Sequence, residues 1–194
     1  METSQPAAYP DLQHLTQLIQ RVDDRQQLAE LISRYGMVVD DRDFDHLGRL
    51  FAPDGQFQAV KGRDAVVAFY RYRTSLFTTS YHYAHTWHFD LISNREASGV
   101  VNAHAELCIN GQAVHIALRY LDTYTKIDGH WLFQSRALKF RYVLPLSELA
   151  NGLDQPLRVR WPGTEPQLAD LPDQLQTYID SRRLPVSAPA TGGV

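Results

Sequence analysis

Along the chain, the spacing of apolar residues changes once, near residue 80. Before that point apolar positions recur at three- and four-residue intervals, the mark of helices with one buried face. After it they alternate with polar ones, the mark of half-buried strands. Leu12, Leu15, Leu18 and Ile19 share one face of a short helix that Asp11 can cap and that ends near Val22. Asp23 or Asp24 then caps a second helix, whose stripe is Leu28, Leu31, Ile32, Tyr35, Val38 and Val39. Acidic residues at helix starts accept the free N–H groups and suit the helix dipole. The run DDRDFD at residues 40–45 breaks the pattern and caps a further turn carrying Leu47, Leu50 and Phe51. Pro53-Asp54-Gly55 signals a turn, residues 56–60 read as a short strand, and Lys61-Gly62-Arg63-Asp64 opens a third helix. That helix presents Ala65, Val66, Phe69, Tyr70 and Phe77.

Strands are predicted over residues 81–92, 99–109, 113–126 and 130–142. Asn110-Gly111 and Asp128-Gly129 are two-residue hairpin turns, so the last three strands form an antiparallel meander. Helices first and a meander afterwards predict an α+β domain, with helices on one face of a four-stranded sheet. A sheet of strands this long twists and curls, and enough curl gives a cone with an internal pocket. Residues 145–150 read as one last helical turn. From residue 151 the chain is Pro-rich, with Trp161, Leu168, Leu171, Leu175 and Ile179 placed to wrap the domain or a partner. The organisation expected is an extension with a short helix at 1–22, a domain at 23–144 and a C-terminal extension at 145–194. The first ten residues are expected to be loose, and the last ten, which offer little to bury, to be disordered.

Composition narrows the possibilities. With 194 residues, 44% of them apolar, the chain can build one domain around a substantial core. A net charge of −3 without any Lys/Arg stripe argues against nucleic acid as a partner. Cys108 is the single cysteine, so no intrachain disulfide forms, and it reads as a small core residue. No run approaches the length of a membrane span, and a cytoplasmic protein is expected. There is no Gly-rich phosphate loop, no G-x-S-x-G elbow and no H-E-x-x-H motif. No cofactor is expected.

The candidate chemistry lies in residues 80–92, SYHYAHTWHFDLI, which hold three of the eight histidines. On a strand, His82 and His88 would face one way and His85 the other. Strand metal sites use i, i+2 pairs, which this triple lacks, so no metal is assigned to it. As acid–base groups the histidines fit better, since imidazole takes and returns a proton near neutral pH. Asp40 could orient one imidazole and stabilise its charged form. Tyr35 could hold a substrate carbonyl, or the enolate formed from it. Tyr35 and Asp40 are five residues apart, about 140° around a helix, so they converge only if the helix ends near Asp40. His85 and His104 are further candidates. His88 reads as structural, and His14, His46 and His130 as solvent-facing.

The helix with Tyr35 and Asp40, the segment LGRLFAPDGQF, the helix opening at Gly62, the strand with His82 and the closing motif YTKIDGHWLFQSR together carry a resemblance. Their order and spacing, over roughly residues 23–142, resemble the SnoaL-like branch of the nuclear-transport-factor-2-like (NTF2-like, cystatin-like cone) superfamily. The Tyr35/Asp40 pair, and His82 ahead of His85-Thr86, are similar to the bile-acid 7α-dehydratases. Where those carry an Asp on the next strand this chain has Ala103-His104-Ala105, which is closer to the two facing histidines of the scytalone dehydratases. The resemblance implies a curved antiparallel sheet wrapped around N-terminal helices. It implies a cofactor-independent lyase, a dehydratase of small hydrophobic hydroxy-ketones such as steroids or polyketides, with Tyr35, Asp40, His82 and His104 catalytic. The expected substrate-binding residues are His85, Trp87, Tyr120, Arg136 and Phe140, with Arg141 an alternative to Arg136. A ketosteroid-isomerase-like or polyketide-cyclase-like enzyme, or a non-catalytic subunit like the small subunit of ring-hydroxylating dioxygenases, are the alternatives. A homodimer is expected.

Overall fold

The structure is a computed structural model and describes residues 11–184, so the expectations for residues 1–10 and 185–194 lie outside the described residues. In chain order the elements are α1 (Leu12–Asp40), α2 (Phe44–Leu50), β1 (Phe51–Phe57), β2 (Val60–Lys61), α3 (Arg63–Ser75), β3 (Phe77–Leu91), β4 (Glu96–Ile109), β5 (Gln112–Ile127) and β6 (His130–Pro145). A 3₁₀ turn (Leu146–Glu148), α4 (Leu149–Gly152) and α5 (Gln176–Ser181) follow. None of the helices among the described residues is long and apolar enough to cross a membrane.

The two helices expected over residues 12–22 and 24–39 are one helix, α1, capped by Asp11, whose side chain accepts from the His14 N–H. No Gly or Pro interrupts residues 12–35, and Asp24 does something other than start a helix. It is buried at 4% exposure and accepts from Lys126 Nζ (2.6 Å) and Trp131 Nε1 (2.9 Å), bolting α1 to β5 and β6. Burial pushes its pKa up, but the bonds from Lys126, Trp131 and Gln20 pull harder, so it lies below the usual carboxylate value. The first three turns of α1 leave Leu12, Leu18, Ile19 and Val22 largely exposed.

The sheet has six strands, not four, in the order β2-β1-β6-β5-β4-β3, open at both edges. β3 to β6 form the long antiparallel part through the two anticipated hairpins. Asn110-Gly111 and Asp128-Gly129 all take positive φ there, as a type I′ turn demands. β1 adds in parallel beside β6, with an irregular register between Phe51 and Gln56 at Pro53-Asp54-Gly55. The turn signal thus lies inside a strand, where the lost proline N–H is tolerated at a bulge. Alternate residues of the central strands face the helices: Val101, Ala103, Ala105 and Leu107 on β4, and Val114, Ile116, Leu118 and Tyr120 on β5. With Leu28, Ile32, Val39, Leu47 and Val66 from the helices they form one apolar core.

The C-terminal extension begins with the anticipated helical turn and then returns to the sheet. The Val143 N–H donates to the Arg158 carbonyl (2.8 Å), the Arg160 N–H to the Val143 carbonyl (2.7 Å), and the Leu171 N–H to the Phe140 carbonyl (3.1 Å). Val159, Ala169 and Leu171 are buried, while Leu168 stays exposed.

Candidate active site

Asp40 is the last residue of α1, where the chain turns away, so its side chain leaves the helix toward β3. The approach is close because the residue one turn earlier is Gly36: a Cβ there would sit 3.1 Å from the His82 carbonyl oxygen. Asp40 then spans to His82 with both oxygens. Oδ1 accepts from His82 Nδ1 (2.6 Å) and from Ser80 Oγ (3.2 Å), and Oδ2 accepts from the His82 backbone N–H (2.7 Å). With Nδ1 committed to a carboxylate as N–H donor, the lone pair of the imidazole is at Nε2.

His82 and Asp40 are about one-fifth exposed, and the His82 ring borders a cavity of about 280 Å³. Tyr35, Tyr70, Leu118, Tyr120, Phe140 and Trp161 are among its other walls. A second cavity of about 350 Å³ shares Tyr35, His82 and Tyr120 and adds Gly36, Ala84 and Arg136. Tyr35 sits between the two, with its hydroxyl 2.5 Å from that of Tyr70. Burial raises the pKa of Tyr35, Tyr70 and Tyr120, so all three phenols stay protonated.

Arg136 is fully buried in a bidentate pair with Asp122, through Nε (2.9 Å) and Nη2 (2.7 Å). Its guanidinium lies 4.1 Å from the centroids of Tyr35, Tyr120 and Phe133. Burial lowers its pKa, but Asp122 more than offsets that, so Arg136 is a fixed cation. The Tyr124 hydroxyl donates to Asp122 (2.8 Å), and its pKa is raised by burial and by that carboxylate. Arg136 Nη1 is buried and has no partner among the described residues. Arg136 also lines the second cavity.

Of the residues expected in the site, Tyr35, Asp40, His82, Tyr120, Arg136 and Phe140 are brought together around the two cavities. His104 is not. β4 turns its odd residues inward, so His104 stands on the convex face, stacked on Tyr83, His85 and His115. His85 touches the rim of the second cavity, but its Nε2 is bonded to His104 Nδ1. Trp87 pairs with Val101, is 43% exposed and lines neither cavity. Arg141 reaches Asn102 on the convex face (3.3 Å). His82 and His88 do not share a face as simple alternation demands. A register shift between Ala84 and Thr86 inverts the parity of β3, and His88 pairs with Asp90 in solvent.

The hydroxyl of Tyr70 and the carboxylate of Asp122 were not anticipated at the site, whereas Trp161, expected with the rest of the extension to close the pocket or a dimer, lines the first cavity. Asp122 had a signal, being two residues from both Tyr120 and Tyr124 on an alternating strand. The signal for Trp161 was an apolar residue in a Pro-rich extension, and its exact place depends on the fold-back of that extension.

A cone with a His–Asp dyad at its inner wall defines the class. Residues 20–137, more than half of the sequence, match the SnoaL-like domain, and the chain belongs to that family. Among solved structures it is similar to a putative scytalone dehydratase from Novosphingobium aromaticivorans. That match has a TM-score of 0.62 at 20% identity and covers 66% of this chain and 91% of the other. It is also similar to the hexachlorocyclohexane dehydrochlorinase LinA-type3 from Novosphingobium barchaimii, with TM-score 0.63, 19% identity, and 68% and 95% covered. A third is an NTF2-like protein with a cystatin-like fold from N. aromaticivorans, with TM-score 0.58, 23% identity, and 76% and 99% covered. At these identities the likeness establishes the NTF2-like fold. No curated protein matches by sequence.

Proposed function

We propose that the chain is a cofactor-independent lyase that removes water from a small hydrophobic hydroxy-ketone, of the size and polarity of a polyketide or steroid. The observation that carries this reading is the Asp40–His82 pair, held by three hydrogen bonds to one carboxylate and opening on an apolar cavity. Two structural neighbours are named for eliminations as well, a dehydratase and a dehydrochlorinase.

In this reading His82 Nε2 takes the proton α to the substrate carbonyl, and Asp40 stabilises the imidazolium that forms. Negative charge moves to the carbonyl oxygen, where Tyr35 Oη or Arg136 Nη1 donates to it. The electron pair returns to form the C=C bond as the β C–O bond breaks. The leaving hydroxide takes the proton from His82, so one water departs and the imidazole is neutral again. Isomerisation and aldol cyclisation share the first step and differ in where the proton goes. The His and Tyr groups supply the whole transfer, so turnover is expected to survive EDTA.

The test is incubation of the full chain with a panel of hydroxy-ketones, followed by mass spectrometry and steady-state kinetics. Appearance of the dehydrated product, abolished in His82→Ala, supports the reading. Conversion at unchanged mass replaces it with an isomerase or cyclase. Tight binding without turnover by any member would leave a non-catalytic binding subunit.

A further inference from the structure

The convex face of the sheet carries a polar cluster with no part in that chemistry. His104 and Glu106 are an i, i+2 pair on β4, and His115 stands directly opposite Glu106 on β5. One potential ligand atom from each of the three lies within 4.8 Å of the other two. His85 and Tyr142 flank them. His104 Nδ1 is bonded to His85 Nε2, and His115 Nδ1 lies 3.0 Å from the Tyr142 hydroxyl. Each central imidazole therefore has one nitrogen fixed by an outer partner and the other free, with His104 Nε2 4.0 Å from Glu106 Oε1.

We infer that His104, Glu106 and His115 form a binding site for a divalent transition-metal ion of borderline softness, Zn²⁺ being the representative. Two imidazoles and one carboxylate are the donor set of open, three-ligand zinc sites, and of facial sites for other divalent transition metals. A strand pair plus one cross-strand residue presents three donors to a single point above the sheet. Bonds of about 2.0–2.1 Å bring tetrahedral donors to about 3.4 Å from one another. The present separations close to that by small rotations of exposed side chains such as Glu106. His85 and Tyr142 are positioning residues, holding the ring orientation and tautomer of the two ligands as outer partners of metal-bound histidines do. The site and His82 lie on opposite faces of the sheet, so the inference stands apart from the lyase reading.

The experiment is titration of the full, chelator-stripped chain with Zn²⁺ against a chromophoric competitor, repeated with Co²⁺ to read its visible ligand-field bands. One equivalent per chain is expected, with Co²⁺ bands of a four- or five-coordinate ion. His104→Ala and His115→Ala should weaken Zn²⁺ binding by more than the roughly 10–100-fold typical of losing an outer partner. His85→Ala and Tyr142→Phe should fall within that range. Glu106→Gln keeps the shape of the side chain and removes its charge, and it should weaken Zn²⁺ binding as the loss of a ligand does. His82→Ala, on the other face, should bind as the unaltered chain does. The inference is overturned if the unaltered chain takes up no stoichiometric Zn²⁺. It is equally overturned if folded His104→Ala and His115→Ala, judged by their melting curves, bind as tightly as the unaltered chain.

Discussion

One carboxylate performs two tasks at the dyad. Asp40 Oδ2 fixes the backbone of β3 at His82, and Oδ1 fixes the ring of the same residue, so position and tautomer are set together. Positioned proton transfer contributes ~10²–10⁴ in rate. His82→Ala and Asp40→Ala are each expected to lower kcat by that order, and the double variant to be little worse than either, since the pair acts as a unit. Tyr35→Phe removes one donor to a developing oxyanion, and a smaller loss, on the order of 10–100-fold, is expected in kcat. Steady-state kinetics on a turned-over hydroxy-ketone, with circular dichroism as the folding control, decides; near-unaltered kcat in His82→Ala would remove the dyad from the mechanism. Each half of the dyad carries its own signal, an acid where a helical stripe stops and a histidine at the start of an alternating strand, and the resemblance to the SnoaL-like family singled out His82 as the partner of Asp40. His104 was misplaced although the sequence held the correction. Val101, Ala103, Ala105, Leu107 and Ile109 alternate without a break, which puts His104 outside. His85 could not have been placed, because the bulge that reorients it follows from pairing with β4 and has no signature in its own residues.

At the scale of elements, the join between α1 and the sheet rests on Asp24 as much as on apolar packing. Its three donors, Gln20, Lys126 and Trp131, come from within α1, from β5 and from β6. Asp24→Asn weakens those bonds and leaves the Lys126 ammonium, itself only 14% exposed, without its counter-charge. Removing one member of a buried pair costs ~3–5 kcal/mol, and Lys126 can swing toward water, so the lower end applies. The pH dependence has a definite sign. Asp24 has a folded-state pKa depressed below its ordinary 3.8, so its contribution is present above that value and is lost as pH falls through the folded-state value. Urea melts at pH 7 should therefore separate the original chain from Asp24→Asn clearly, and the gap should narrow below about pH 4. A gap that widened on acidification would show that the carboxylate does not carry the join. Local propensity makes Asp23 or Asp24 a helix cap. The true role needs Lys126 and Trp131, a hundred residues on, and only the register of the last hairpin brings them there. That same logic ran the other way at the first hairpin. Asn110-Gly111 sets Ile109 against Gln112, and stepping three residues back along each strand sets Glu106 against His115. The convex-face cluster was thus implicit in a two-residue turn.

For the molecule as a whole, the consequential feature is that the C-terminal extension completes the cavity. The family match ends at residue 137, and the walls do not. Residues 158–160 add a short ladder beside Val143, and the Asp170 carboxylate accepts from the Phe140 N–H (2.8 Å), so the extension grips β6 at Val143 and at Phe140. Between these anchors Trp161 packs edge-on against Phe140 (5.8 Å between centroids) and lies 4.9 Å from the Arg73 guanidinium, forming part of the cavity wall. The arrangement has two separable consequences. Cutting the chain after Leu153 removes the buried Val159, Ala169 and Leu171, of which Val159 and Leu171 are each worth about 1.5–3 kcal/mol if fully buried. Even a net loss of ~3 kcal/mol would lower the melting midpoint by roughly 6–12 °C in a domain of this size. Trp161→Ala leaves those anchors in place and opens the cavity wall. It should cost well under the ~3–5 kcal/mol of a fully buried Trp, because its indole is only half-buried. Its main effect should fall on substrate binding: KM raised about tenfold, the worth of ~1.4 kcal/mol of apolar contact, with kcat changed far less since His82 and Asp40 are untouched. Scanning calorimetry on the truncated chain and kinetics on Trp161→Ala read the two effects independently. A truncated chain with the full melting temperature, or a Trp161→Ala variant with unchanged KM, would show that the domain closes its cavity without the extension.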